Sequence, residues 1–185
     1  MLTNTGKGAL TPSVRMQASA QRHILEQWLE SHQGLLFKVV RAYAVDEHDR
    51  EDLFQEVVIQ LWRSIPSFRG DSAVSTWIYR VAVFCGIAWT RKERQRPATV
   101  QPDSEWSGLL IRQPEESDPR IEWLYEQIQR MELVDRSLTL MMLDGLPHRE
   151  IAGALGITEN LVGVKLHRIR AWLSQRAKEA NQDAI

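Results

Sequence analysis

Residues 155–173, LGITENLVGVKLHRIRAWL, hold a helix whose two faces differ in kind. Val162, Leu166, Ile169 and Leu173 recur at spacings of four, three and four, which at the helical period sets them on one stripe, the core side. Thr158 is a good N-cap, because its hydroxyl accepts a bond from a free amide of the first turn, and Gly156 takes the positive φ of a tight turn. The helix therefore starts near Glu159. Its other face carries Asn160, Gly163, Val164, His167 and Arg168, and Gly163 leaves room for close approach to the backbone. Just upstream, HREIAGAL (148–155) reads as a short helix with Ile151, Ala152 and Leu155 inward. A short helix, a glycine turn and a longer helix make a helix-turn-helix, whose second helix lies in the DNA major groove. A helical hairpin with a solvated basic face has the same outline, so the rest of the chain must decide between them.

The chain has 185 residues, enough for one medium or two small domains, and its 43% hydrophobic content supplies real cores. Seven tryptophans and few glycines suit helices packed on helices. Residues 1–14 show no cationic start followed by an apolar run, so no secretory signal is expected. The most apolar stretch, Val81 to Trp89, is too short to span a bilayer and runs into the charged RKERQR. The expectation is a soluble, cytoplasmic protein without membrane insertion. The single cysteine, Cys85, lies inside that apolar stretch, where a buried and inert thiol is expected.

A net charge of −1 argues at first against a nucleic-acid partner, but the charge is segregated. Residues 1–45 and 71–96 each carry five basic against two acidic residues, whereas 97–135 carry three basic against nine acidic ones. Local basic surfaces therefore coexist with acidic ones. From Ala18 to Ala44 the pattern is helical, with a bend or break expected at His32–Gly34. Asp46 or Asp49 caps a helix running to about Ser64, and a fourth helical stretch, Ser75 to Arg94, is apolar on most sides and so should lie centrally in a bundle. Pro97 to Pro119 holds four prolines and five acidic residues and reads as a linker, after which helical periodicity resumes from Arg120. There is no strand-period alternation of useful length. The expected fold class is all-α: two small helical domains joined by an acidic, proline-containing linker.

In DREDLFQEVVIQLWR (49–63), Leu53, Phe54, Val57, Val58 and Leu61 share one face, and Asp52, Gln55, Glu56, Ile59, Trp62 and Arg63 share the other. A merely solvated face has no use for Ile59 and Trp62. Apolar groups among carboxylates suit a protein partner with a basic, partly apolar surface. The competing possibility is that Trp62 packs on a neighbouring helix. In FRGDSAVSTWIYRVAVFCGIAWTRKERQR (68–96), a glycine loop precedes a helix whose first turns carry Ser75, Thr76, Trp77, Tyr79 and Arg80. Aromatics beside cations are what single-stranded bases require, π-faces for stacking and charge along the phosphates. Trp77 and Tyr79 serve equally well as core.

Taken in order, DREDLFQEVVIQLW, FRGDSAVSTWIYRVA, the acidic linker and LDGLPHREIAGALGITENLVGVKLHRIRAWL resemble regions two and four of the extracytoplasmic-function (ECF) group of sigma-70-type RNA polymerase sigma factors, over roughly residues 20–178. The resemblance implies a region 2 domain (18–96), a linker (97–119) and a region 4 domain (120–178), flanked by flexible tails at 1–17 and 179–185. It implies core RNA polymerase as partner, through the β′ clamp helices and the β flap. On the DLxQEVxxxLW helix the contacts map to Asp52, Leu53, Gln55, Glu56, Val57, Leu61 and Trp62, to which helical geometry adds Ile59. The FRGxxxxxTWxYRxA segment implies opening of the minus-10 promoter element and capture of a flipped base by Arg69 through Ser75, then Thr76, Trp77, Tyr79 and Arg80. Extruding a base costs a few kcal/mol, which a pocket and stacking offset. The recognition helix reads the minus-35 duplex, and the linker resembles the segment that threads the polymerase channel. An anti-sigma protein as a further partner is a reasonable expectation from the same resemblance.

There are departures from the family pattern. Phe84 stands where many members have asparagine, Gly163 where a basic residue is common, and Val164 where serine is. Readout of the minus-35 element then rests on Thr158, Asn160, Lys165, His167 and Arg168, with Val164 able to meet a thymine methyl. Pro147 replaces a hydroxyl cap, so the short helix is expected to carry proline in its first turn. No catalytic activity, cofactor or metal is expected: there is no phosphate-binding glycine loop, no HExxH and no cysteine cluster, and His23, His32, His48, His148 and His167 lack a ligand spacing. The alternative is a helix-turn-helix regulator with an N-terminal sensor or dimerisation bundle, which would bind duplex DNA without polymerase.

Overall fold

The computed structural model describes residues 12–93 and 118–182. The stretches 1–11, 94–117 and 183–185 lie outside the described residues, and with them almost all of the expected linker; the described parts of the expected tails, 12–17 and 179–182, are helical rather than flexible tail, as the ends of the first and last helices. Among the described residues there are seven α-helices, one 3-10 turn and no strand, so the chain is all-α.

The first bundle consists of α1 (Pro12–Tyr43), α2 (Glu47–Ser64) and α3 (Val74–Glu93). The long α1 is bent at His32, whose backbone leaves helical values (φ −124°, ψ 20°) and whose ring Nδ1 lies 3.1 Å from the Trp28 carbonyl oxygen. Asp46 caps α2, its carboxylate accepting from the Asp49 N–H at 2.7 Å. The five inward residues of α2, Leu53, Phe54, Val57, Val58 and Leu61, are all buried, as the 3.6-residue period requires. They meet Leu25, Leu36, Val39 and Val40 of α1 and Ile78, Ala82 and Val83 of α3 in the core. Each such side chain contributes about 1.5–3 kcal/mol by leaving water. The central place of α3 follows from its apolar character: it packs on α1 and α2 on one side and on α5 and α6 on the other. One glycine makes this possible. At Gly86 a Cβ would stand 2.5 Å from the Tyr43 ring, so only a bare backbone lets α1 and α3 approach there.

The second unit consists of α4 (Pro119–Arg130), α5 (Leu133–Leu143), α6 (His148–Leu155) and α7 (Glu159–Gln182). Asp118 caps α4 with a carboxylate that accepts from the Arg120 N–H and pairs with its guanidinium. Pro147 sits at the N-cap of α6 rather than inside its first turn, and no side chain caps this helix. Proline fits the cap because it has no N–H to satisfy and its φ of −68° is its natural value. Gly156 ends α6 in the left-handed region (φ 69°), and the Thr158 hydroxyl accepts from the Leu161 N–H at 3.3 Å, so the expected turn and cap are both present. Val162, Leu166 and Ile169 of α7 are buried with Ile128, Leu138, Met141 and Ile151. Leu173, the last member of the stripe, is half-buried.

The two units do not sit apart. Contacts run from α1 to α4 and α5, and from α3 to α5 and α6, and the buried residues of both units form one continuous cluster. Neither periodicity nor motif spacing foretold this docking.

Candidate nucleic-acid interface

The outer face of α7 and the start of α6 enclose an open groove of about 620 Å³ lined by His148, Glu159, Asn160, Gly163, Val164, His167 and Arg168. Four of the residues expected to read DNA, Asn160, Val164, His167 and Arg168, are thus brought together and exposed. Two others are not free for that task. Lys165 is bound to Asp135 of α5 at 2.6 Å, because its position turns it towards α5, and Thr158 serves as the cap. His148 was missed by sequence reading. A Cβ on Gly163 would lie 3.8 Å from its imidazole, so the ring sits over the bare backbone of the recognition helix. The only signal was its place as the first residue of the short helix.

At the other end, the loop before α3 turns at Gly70 (φ 78°). Phe68 is wedged between Trp28, edge-on at 5.4 Å, and Trp77 at 5.5 Å, and the Trp77 indole N–H donates to the Ser64 hydroxyl at 3.1 Å. These contacts fix Trp77 as one wall of a cup of about 330 Å³ lined by Ser67, Phe68, Arg69, Asp71 and Trp77. Arg69 is exposed beside it. An aromatic wall with a guanidinium at its rim offers stacking and charge to an unpaired base. Further along α3, Ser75 is half-buried and Arg80 is exposed, its guanidinium 6.0 Å from the ring of Phe84. Phe84, 47% exposed, also lines an apolar groove of about 570 Å³ between α2 and α3 whose rim carries Glu56, Arg80 and Lys92.

Two residues of the expected minus-10 set are not on the surface. Tyr79 is fully buried and Thr76 is 7% exposed, with its hydroxyl donating to Glu150 of α6 at 2.6 Å. Both face the second unit, because the inward side of α3 is turned towards α5 and α6. Burial first, then the nearby Asp144 carboxylate, pushes the Tyr79 phenol up, so it stays protonated. Cys85 is buried, and burial raises its thiol to about 12 with a further push from Glu56, which makes it the inert thiol expected.

On α2, Glu56 is exposed and Asp52, Gln55, Ile59 and Trp62 are half-buried, so the outward face keeps both carboxylate and apolar surface. Ile59 and Trp62 border a small cavity of about 190 Å³ with Arg22, Leu25 and Val58. Trp62 packs partly on the core, and its carbonyl accepts from the Gln21 side chain at 2.6 Å. Leu53, Val57 and Leu61, which the motif places among partner contacts, are fully buried core residues, because they lie on the inward stripe of α2. Among the described residues, no group of three or more His, Cys, Asp or Glu side chains could hold a metal ion, and no helix is long and apolar enough to cross a membrane.

Comparison with known proteins agrees with this layout. Residues 28–96 match the family model of sigma-70 region 2, and residues 121–173 that of sigma-70 region 4. The chain is 30% identical over 149 residues to the ECF RNA polymerase sigma-E factor of Escherichia coli K12, covering 72% of this chain and 76% of that one. It is 28% identical over 144 residues to the sigma-E factor of Haemophilus influenzae, covering 71% and 76%. Among solved structures it is similar to CnrH in complex with the cytosolic domain of CnrY (TM-score 0.63, 17% identity, 89% of this chain and 94% of that one). It is also similar to the sigma factor RpoE of Bartonella quintana, in complex with the anti-sigma factor NepR (TM-score 0.65, 17% identity, 83% and 96%). The chain belongs to the ECF group of sigma-70-type RNA polymerase sigma factors, and its function is promoter recognition and transcription initiation with core RNA polymerase.

Proposed function

We propose that this sigma factor divides its work among three surfaces. The outward face of α2, with Asp52, Gln55, Glu56, Ile59 and Trp62, grips the polymerase β′ clamp helices. The cup at Arg69 and Trp77, continued along α3 through Ser75 and Arg80, captures the melted minus-10 strand, with Thr76 and Tyr79 buried beneath them as scaffold. The α6–α7 groove, with Asn160, Val164, His167 and Arg168, reads the minus-35 duplex, and the second unit as a whole rests on the β flap. The single observation that carries this reading is the mixed face of α2, where Glu56 is exposed while Ile59 and Trp62 keep part of their apolar surface in water. In this reading residues 18–96 and 120–178 are the two working domains, 97–119 is the connecting segment, and the tails at 1–17 and 179–185 take no part in binding.

The protein works by binding alone, without catalysis, cofactor or metal, and it acts in the cytoplasm with polymerase. Regulation by an anti-sigma protein is part of the same proposal, supported by the similar sigma factor RpoE, seen in complex with the anti-sigma factor NepR. The test is copurification of core polymerase with the Asp52→Lys, Glu56→Lys double variant. Binding should be lost while helicity is retained, since neither residue belongs to the buried stripe of α2. Run-off transcription with core polymerase on a fragmented genomic library then reveals both activity and promoter. Undiminished copurification of the folded double variant would remove α2 from the polymerase interface.

A further inference from the structure

Trp77 is a wall shared by two hollows. On one side it closes the cup with Arg69, and on the other it begins the groove of about 570 Å³ between α2 and α3. That groove follows a single stripe of α3, on which Trp77, Val81, Phe84 and Ala88 recur at spacings of four, three and four. Phe84 stands in the middle of the stripe and is 47% exposed. Among the described residues of the first bundle it is the one aromatic side chain that lies open to solvent, the others being half-buried or buried. An apolar ring left in water within a groove, rather than singly on a convex surface, marks a place where a ligand covers it.

The charges around Phe84 decide the kind of ligand. Arg80 stands about one turn before it, with its guanidinium 6.0 Å from the ring centre, and Lys92 about two turns after it, at the far end of the groove. Both cations are exposed, and among the described residues neither is in an ion pair. The opposite rim belongs to α2, where the Glu56 carboxylate accepts from the Gln60 amide at 2.7 Å. A chain of phosphates is therefore drawn to the α3 rim and repelled from the α2 rim. Whatever hangs from that chain is turned inward, onto the Phe84 ring. An aromatic face with a cation on either side suits a strand of unpaired bases. A purely apolar peptide has no use for the two cations, and a duplex keeps its base faces stacked inside.

We propose that the groove between α2 and α3 is a second station for the melted strand, in which Phe84 stacks a base without reading its edge. The proposal rests on the assignment of the cup at Arg69 and Trp77 to that strand. Trp77 and Phe84 are seven residues apart, about 10 Å along the helix at 1.5 Å per residue. That is about three nucleotides of a stacked strand at 3.4 Å each, and fewer of an extended one. The Phe84 ring has neither donor nor acceptor, and the polar groups of the facing rim, Glu56 and Gln60, are bound to each other. Every base has a face, so this station takes any of the four. One promoter position near the captured base is thus held tightly and left unread, adding affinity for the open strand without adding sequence preference.

The test uses the full chain assembled with core polymerase. A random-sequence single-stranded 20-mer with 5-iodouracil in place of thymine is photocrosslinked to it, and the modified peptides are mapped by mass spectrometry. Crosslinks are expected at both Trp77 and Phe84. Crosslinks at Trp77 without Phe84 would overturn the second station and leave the cup standing, those at Phe84 without Trp77 would support the groove and strike the cup, and their absence at both would overturn the two together. Affinity is then read by anisotropy with fluorescent 20-mers of deoxyadenosine, deoxycytidine and thymidine. Phe84→Ala and Phe84→Leu should each weaken all three by about tenfold, whereas Phe84→Tyr, which keeps the π-face, should match wild type. Full affinity in Phe84→Leu would show that apolar bulk suffices and overturn stacking, and weakening confined to one base would overturn the indifference to sequence. A 20-mer of abasic units, with phosphates but no faces, should bind wild type and Phe84→Ala equally, and a difference there would also overturn stacking. Lys92→Gln should lower the salt slope by about 0.7, and an unchanged slope would overturn the phosphate track along α3.

Discussion

Gly86→Ala should destabilise the protein although it replaces glycine by the best helix former. The new methyl carbon would stand 2.5 Å from Cγ and Cδ2 of Tyr43 and 3.0 Å from Cδ1. Carbon atoms in contact prefer about 3.5–4.0 Å, so the ring must retreat by about 1 Å. It is poorly placed to do so, because its hydroxyl is 2.6 Å from Ser137 and the Arg136 guanidinium is stationed on the ring. Overpacking of this kind costs about 1–3 kcal/mol. Weakening the Tyr43–Ser137 bond adds about 0.5–1.5 kcal/mol, and the gain in helix propensity returns about 0.8–1.0 kcal/mol. The net loss is about 0.5–4 kcal/mol, measured as a lower midpoint of urea unfolding with an unchanged slope. Gly153 of α6 is the internal control: it is exposed, and a Cβ there would have no neighbour within 4 Å. Gly153→Ala should stabilise by up to about 1 kcal/mol. If both substitutions stabilise equally, the tight approach of α1 to α3 at Gly86 is wrong.

Other outcomes follow from the same geometry. Arg168→Ala should weaken binding to the minus-35 duplex by about 1–3 kcal/mol if the side chain reads a base, or lower the salt slope by about one if it touches phosphate; no change in either would place it outside the interface. His148→Ala should weaken duplex binding without altering the unfolding free energy by more than about 0.5 kcal/mol, and equal affinity of variant and wild type would leave the ring over Gly163 without a role in DNA. Native Cys85 should resist alkylation at pH 8 and react on unfolding, which end-point labelling with and without urea will read. The sign of its pH effect also follows. The unfolded thiol ionises near 9 and the folded one only near 12, so unfolding releases a proton in that window and stability falls as pH rises from 9 towards 12. Tyr43, raised from 10 to about 12 by burial, acts in the same direction. Stability that rises over that range would contradict the burial of both groups.

Much of the architecture was legible because it is written in local chemistry. The inward stripe of α2, the Asp46 and Thr158 caps, the Gly156 turn and the bend at His32 each depend on a few neighbouring residues, and helical period or a short polar side chain reveals them. The site was legible in outline for the same reason: Asn160, Val164, His167 and Arg168 share a face that the stripe of α7 excludes from the core. The docking of the units had no such signature. Lys38, Arg41, Glu122, Asp144 and Glu150 read as ordinary solvated charges, and Arg136 gives no hint that it is buried. Their partners stand far off in sequence, Arg136 and Ala42 being 94 positions apart. Leu53, Thr76 and Tyr79 failed as exposed contacts for a related reason. A motif preserves a residue whether it touches a partner or holds the scaffold beneath, and only packing separates the two roles.

That separation along the chain also matters during synthesis. Ala42 leaves the ribosome 94 positions ahead of Arg136, whose guanidinium donates to its carbonyl at the end of α1. At about 5–20 residues per second, the end of α1 waits about 5–20 s for that partner. Throughout that interval a newborn chain displays surfaces that the finished molecule conceals, and chaperone or nucleic acid meets them first.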